Sequence, residues 1–238
     1  VNYTVKIAGW DSLWLPYSIG CIQSYAKSKE DITEHFNFHP ELFCRREEPA
    51  ELIKRLDNPT IVGFSNYAWN TSWNIQMSKL IKETYPDCIV VFGGPNVWDD
   101  MNTEYAHIDV LLQQEGEFGF VELLRKIRDK EELPTHLAGD RIHNLEELTD
   151  PYSTGEFDWL VENYPQFRWN GTFETNRGCP FLCTFCDWGS LTFTKVKKFE
   201  IERVEANMEW MANNKVTYIV CADANVGIFK DRDIEIAK

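Results

Sequence analysis

Three cysteines crowd into eight positions of the stretch NRGCPFLCTFCDWGS (176–190): Cys179, Cys183 and Cys186, spaced C-x-x-x-C-x-x-C. Thiolates at such short spacing are metal-ligating chemistry. Structural zinc sites close with four ligands, usually from paired C-x-x-C units. No second pair exists here. Cys221 lies thirty-five residues beyond Cys186, inside the strand-like run VTYIVCAD, and the nearest upstream histidine is His143. Neither makes a tidy fourth ligand. Iron–sulfur clusters take thiolates, and a cubane held by three of them leaves one iron open to a small ligand. On spacing alone, zinc, three unrelated thiols and such a cluster all stand.

The remaining cysteines, Cys21, Cys44 and Cys88, are scattered through apolar or helical patterns and read as small buried hydrophobes. Seven cysteines without paired spacing give no disulfide framework, so a reducing, cytoplasmic setting is expected. The formal charge is −14 and the densest basic run is KVKK at 195–198, which disfavours a nucleic-acid partner held by phosphates. No apolar run reaches membrane-spanning length, so no membrane association is expected. With 43% apolar and 14% aromatic residues, the chain can build cores and is not expected to be disordered.

The elements that must position the cysteines begin far upstream. YTVKIAG (3–9) reads as a strand, and a helical pattern follows over 18–28. ITEHFNF (32–38) alternates weakly, as a second strand would, and PAELIKRL (49–56) is helical. TIVGFSN (60–66), CIVVFGGP (88–95) and IDVLLQQ (108–114) are solid apolar runs, separated and followed by the helical patterns WNIQMSKLIKETY (73–85) and GFVELLRKIRD (119–129). Such runs belong to parallel strands covered on both faces. The expectation is a doubly wound α/β, Rossmann-like domain of about five strands over 1–132. Ligands of such sheets sit at the strands' carboxyl ends. There the sequence places WDSLWLPYS, SNYAWN, GGPNVWDD and QEGEFG, so that Trp10, Trp14, Tyr67, Trp69 and Trp98 share one rim. An aromatic, glycine-lined rim suits a large flat ligand, and equally an interface to the next domain. No G-x-G-x-x-G follows the first strand, so the dinucleotide fingerprint is missing. Residues 133–168 lose periodicity and read as a linker; 169–238 then opens on a β-prone run, TFETN, feeding the cysteines.

C-x-x-x-C-x-x-C with Phe185 before the third cysteine resembles the signature of radical S-adenosylmethionine enzymes. ETNRGCP, CDWGS and DANVGIFKDRDIEIA are similar to the subgroup that carries a cobalamin-binding domain ahead of its radical domain, and LPYSIG, VGFSNYAWN, FGGPNV and QEGEFGF resemble that cobalamin domain. The resemblance implies a 4Fe–4S cluster on Cys179, Cys183 and Cys186 and reductive cleavage of S-adenosylmethionine to a 5′-deoxyadenosyl radical. It also implies methyl transfer to an unactivated carbon of a small-molecule or peptide substrate, and an electron donor of the flavodoxin or ferredoxin type. Phe185, Asp223 and Asn225 would face S-adenosylmethionine. Cobalamin would touch Trp10, Leu15 and Pro16; Ser65, Asn66, Tyr67 and Trp69; Gly93, Gly94, Pro95 and Asn96; and Glu115, Gly116 and Glu117. No residue is assigned to catalysis itself.

Two departures accompany the resemblance. The D-x-H-x-x-G that supplies histidine to cobalt is missing, and His35, His39, His107, His136 and His143 all lack that context. The lower cobalt face would then be held without histidine, or left open. Only two strands of the family's partial βα barrel are expected within 169–238, at 172–176 and 216–223 around a helix near 201–214. The chain is therefore expected to be the N-terminal part of such an enzyme, inactive alone. The alternatives are a non-catalytic cobalamin-binding fragment, or a split-enzyme subunit whose partner chain completes the barrel. A third reading is a zinc-stabilised interaction domain.

Overall fold

The computed structural model describes residues 12–140, 142–181, 183–186 and 195–238. A short strand, Ser12–Trp14 (β1), leads into helices Tyr17–Lys27 (α1), Glu30–Thr33 (α2) and Pro49–Ile53 (α3). Then strands and helices alternate: Ile61–Ser65 (β2), Thr71–Thr84 (α4), Ile89–Gly93 (β3), Met101–Glu104 (α5), Val110–Gln113 (β4), Gly116–Arg128 (α6) and His136–Ala138 (β5). β2, β3, β4 and β5 form one parallel sheet in that order. Its register pairs Ile61 with Ile89, Val91 with Val110 and Leu111 with His136. Alternate residues take opposite faces. Val62, Phe64, Val90, Phe92 and Leu111 meet Trp73, Met77 and Ile81 of α4. Val91, Val110 and Leu112 meet Leu123 of α6. Burial on both faces is why these strands read as unbroken apolar runs.

Beyond β5 come a 3₁₀ turn, Leu145–Glu147, and helix Asp158–Asn163 (α7). Strand Arg168–Phe173 (β6) follows, with Asn176–Arg177 (β7) pairing antiparallel to Lys197–Lys198 (β8). Helix Ile201–Asn213 (α8), strand Tyr218–Cys221 (β9) and helix Lys230–Ile236 (α9) complete the described chain. β1, β6 and β9 make a second parallel sheet, with Ser12 opposite Arg168 and Asn170 opposite Tyr218. One core joins the halves. Tyr25 and Ala26 of α1 pack in the same cluster as Val121 and Leu124 of α6, Tyr152, Phe157, Trp169 and Met211.

The strand expected at 3–9 lies outside the described residues, and the described part of the first sheet has four strands. Three expectations differ from the structure. ITEHFNF forms no strand: its start belongs to α2, where Ile32 is fully buried and Asp31 is held by Arg125 and Arg128 of α6. Those ion pairs fix a helical turn that weak alternation cannot override. The stretch read as linker supplies β5 to the first sheet, and Ser12–Trp14, read as part of a loop, is a strand of the second. Both are three residues long, too short for periodicity to declare them.

Candidate functional site

A cavity of about 1640 Å³ opens where the two sheets face each other. The carboxyl ends of β2, β3 and β4 contribute Ser65, Gly93 and Glu115; β6 and the segment that follows it contribute Thr172, Glu174 and Arg177. Most residues expected at a cobalamin rim line it: Leu15, Ser65, Tyr67, Trp69, Gly93, Gly94, Pro95, Glu115, Gly116 and Glu117. Tyr67 and Trp69 stack with centroids 4.6 Å apart, and Trp69 remains 58% exposed, so one aromatic face is free. Trp14 also lines the cavity; Trp98 does not, and lies edge-on to Tyr105. Pro16, the residue before α1, is not among the lining residues, and Trp10 lies outside the described residues.

Asn66 and Asn96 stand behind the rim and shape it. Asn66 is fully buried; its backbone N–H donates to Gly93 O (2.6 Å) and its side-chain amide to Asn96 O (2.6 Å). Asn70 and Asn74 extend the brace: Asn70 Nδ2 donates to Ser65 O (2.9 Å), and Asn74 Nδ2 donates to Asn66 Oδ1 (3.1 Å) and Asn70 Oδ1 (3.1 Å). Sequence reasoning missed these two, although Asn66, Asn70 and Asn74 recur every fourth residue. Gly94 fits the brace through φ +105°, with an added Cβ only 2.8 Å from Asn66 O. Few residues but glycine adopt that backbone.

Glu115 and Glu117, expected near a ligand's amide edge, are committed to the protein. The Glu115 carboxylate accepts from the backbone N–H of Ile142. Glu117 pairs with Arg177 Nη2 at 2.8 Å, and the same nitrogen meets Glu174 at 2.9 Å. This largely buried ion cluster ties the first turn of α6 to the strand feeding the cysteines. Burial pushes the Glu174 carboxyl up, with Arg177 opposing it. For Arg177, burial opposes the charge, yet Glu117 and Glu174 outweigh it and hold the guanidinium ionised.

At the cysteines, Gly178 takes φ +110° just before Cys179, letting the chain turn into the loop. Cys179 is buried, Cys186 half-buried and Cys183 exposed, with the Cys186 N–H donating to Cys183 O (3.2 Å). Phe185 is 91% exposed and packs into no core. Three thiols are the right donor set for an iron–sulfur cluster. Among the described residues, however, no three Cys, His, Asp or Glu side chains are gathered tightly enough to hold an ion. Asp223 and Asn225 are brought to the base of this loop. The Asp223 carboxylate accepts from the Thr175 N–H (2.7 Å), the Asn176 N–H (3.1 Å), Asn176 Nδ2 (2.7 Å) and the Thr175 hydroxyl, clamping the end of β9 to the end of β6. Asn225 Nδ2 donates to Cys179 Sγ at 3.2 Å.

The architecture is that of an α/β ligand-binding sheet facing βα units that carry a three-cysteine loop. The chain is 34% identical over 94% of its length to the cobalamin-dependent radical SAM methyltransferase TokK of Streptomyces tokunonensis. It is 32% identical, again over 94%, to the 2-(S-pantetheinyl)-carbapenam-3-carboxylate methyltransferase of Streptantibioticus cattleyicolor. It spans 36% of the length of each. The solved structure of the cobalamin-dependent S-adenosylmethionine radical enzyme OxsB, with aqua-cobalamin bound, superposes with a TM-score of 0.67 at 20% identity, over 94% of this chain and 33% of that one, and so shares the fold. No family model matches. The chain belongs to the cobalamin-dependent radical S-adenosylmethionine enzymes. Among the described residues, no helix is long and apolar enough to cross a membrane.

Proposed function

We propose that this chain holds cobalamin on the rim of the first sheet and a 4Fe–4S cluster on Cys179, Cys183 and Cys186, and that it serves methyl transfer to an unactivated carbon of a small molecule. The observation that carries the reading is one shared cavity. Gly178, immediately ahead of the first cysteine, lines the same space as Ser65, Gly93 and Trp69. Residues of the wall suit the cofactor. Asn176 is buried and lines the cavity, with its Nδ2 committed to Asp223, while its Oδ1 has no partner. A buried acceptor needs a donor, and the primary amides around a corrin ring are donors of that kind. His35 and His39 reach the cavity, with His35 Nδ1 against Asp31 O and His39 Nδ1 against the Glu41 backbone. Neither stands in a D-x-H-x-x-G, and that sequence context is what supports cobalt held without histidine.

Bound together, the cluster with S-adenosylmethionine supplies hydrogen abstraction, and cobalamin supplies the methyl group. The protein's own part is to hold these groups across one cavity and exclude water. Trp69 and Tyr67 offer an apolar platform, the asparagine brace fixes the glycine turn, and the Arg177 cluster sets the cysteine loop against the rim. The electron donor is of the flavodoxin or ferredoxin class, and the setting is the cytoplasm. A second reading rests on the second sheet, whose three strands among the described residues do not surround a substrate. In that reading these 238 residues bind cofactors without turnover until further βα units are supplied.

Anaerobic reconstitution tests the proposal. It should give about four irons and four sulfides per chain, and Cys183→Ala should lose them. Cobalamin should quench tryptophan fluorescence saturably, more weakly after Trp69→Ala. Stoichiometric zinc without sulfide, or quenching indifferent to Trp69, would overturn it.

A further inference from the structure

We infer that Asn225 is a positioning residue that sets the ease of reduction of the proposed cluster through the sulfur of Cys179. The inference rests on the cluster reading above and goes beyond it, because it concerns a residue that is not itself a ligand. Asn225 Nδ2 lies 3.2 Å from Cys179 Sγ. Cys179 is only 7% exposed, so water competes little for the sulfur. The approach is held in place two residues earlier. Asp223 accepts hydrogen bonds from both backbone and side chain of Thr175 and Asn176, and so fixes the end of β9 against the strand that leads to Cys179. Cys183 and Cys186 stand on a turn, and Cys183 is exposed. Cys179 is thus the thiol whose surroundings the fold defines most firmly.

The sign follows from charge. One-electron reduction adds negative charge to the cluster and its sulfurs. A neutral N–H aimed at a ligand sulfur stabilises that charge more in the reduced state than in the oxidised one, and raises the potential. Glu117 and Glu174, two carboxylates against the single Arg177 cation, lie on the same stretch of wall and act in the opposite direction. Asn225 offsets them at the sulfur itself.

The experiment is a redox titration of the anaerobically reconstituted protein, monitored by the electron paramagnetic resonance of the reduced cluster with a chemical reductant. Asn225→Ala should keep its iron and sulfide and become about tenfold harder to reduce, about 59 mV lower for one electron. Asn225→Asp, which loses the donor at constant size, should fall at least as far, and Asn225→Gln should recover part of the shift. In heavy water, an exchangeable deuteron should couple to the wild-type cluster and vanish in Asn225→Ala. An unchanged midpoint in both Ala and Asp variants at full cluster content would overturn the inference while leaving the cluster reading intact. Loss of cluster from Ala and Asp, with full content in Gln, would also overturn it, in favour of a role in assembly. A wild-type protein that takes zinc and no sulfide would remove the cluster reading and this inference together.

Discussion

Cys183 and Cys44 carry the same thiol into opposite surroundings. Cys183 is exposed, whereas burial pushes Cys44 up to about 12 and Cys88 up to about 11. Only the thiolate is a nucleophile, so maleimide at pH 8 should modify Cys183 rapidly and leave Cys44 and Cys88 untouched until the protein unfolds, as peptide mass mapping would show. The raised value also links to stability. The neutral thiol of Cys44 is favoured in the folded state, so its contribution is complete below the ordinary value of 9.0 and is lost as pH rises toward about 12. Denaturant midpoints should fall over that window, less steeply in Cys44→Ala. Asp223 makes a different kind of prediction. Its carboxylate takes four donors from Thr175 and Asn176, and hydrogen bonds to a charged group contribute about 1.5–3 kcal/mol. Asp223→Ala should cost at least that in urea unfolding. At this scale the sequence disclosed the cysteines, because their spacing is local. It did not disclose that Asp223 clamps a turn or that Asn225 reaches Cys179, because those contacts join residues some forty-six positions apart.

Among the elements, β2, β3, β4, α4 and α6 were legible because both faces of the sheet are covered and most strand residues must be apolar. α8 was equally plain from its helix-period stripe of Val204 and Met211. β1 and β5 were not, since three residues carry no period, and their identity comes from long-range pairing. The rim itself was half legible. Trp14, Tyr67, Trp69 and the glycines fell where expected, but Trp98 did not, and two of the rim's asparagines face inward as braces. Gly94 shows what that brace demands. With φ +105° and Asn66 O at 2.8 Å from a would-be Cβ, Gly94→Ala should destabilise the protein by about 1–3 kcal/mol. Thermal unfolding reads that loss, and weaker cobalamin quenching should accompany it, because the same turn lines the cavity.

On the scale of the whole molecule, Arg177 is the bond between the sheets. Its side chain is only 17% exposed, and it meets Glu117 from α6 and Glu174 three residues earlier in its own segment. Removing one partner of a buried ion pair leaves uncompensated charge, a loss of about 3–5 kcal/mol. Arg177→Met should therefore lower unfolding stability by that order, and more than Glu117→Gln, which leaves Glu174 paired. The second sheet also shows an apolar flank, with Tyr218, Ile219, Val226 and Ile234 exposed. The pairing of Ser12 with Arg168 reaches further still. A ribosome finishes the first strand long before it makes the strand that must lie beside it. The early segment has to wait, unpaired, while the whole parallel sheet between them is made and folds. Closing so long a loop is slow, and the waiting strand is open to capture by other chains. A cut between residues 139 and 150 should therefore not yield two parts that fold apart, because the later part would lack β1. Such a cut would yield two soluble halves only if residues 12–14 were moved to the second piece.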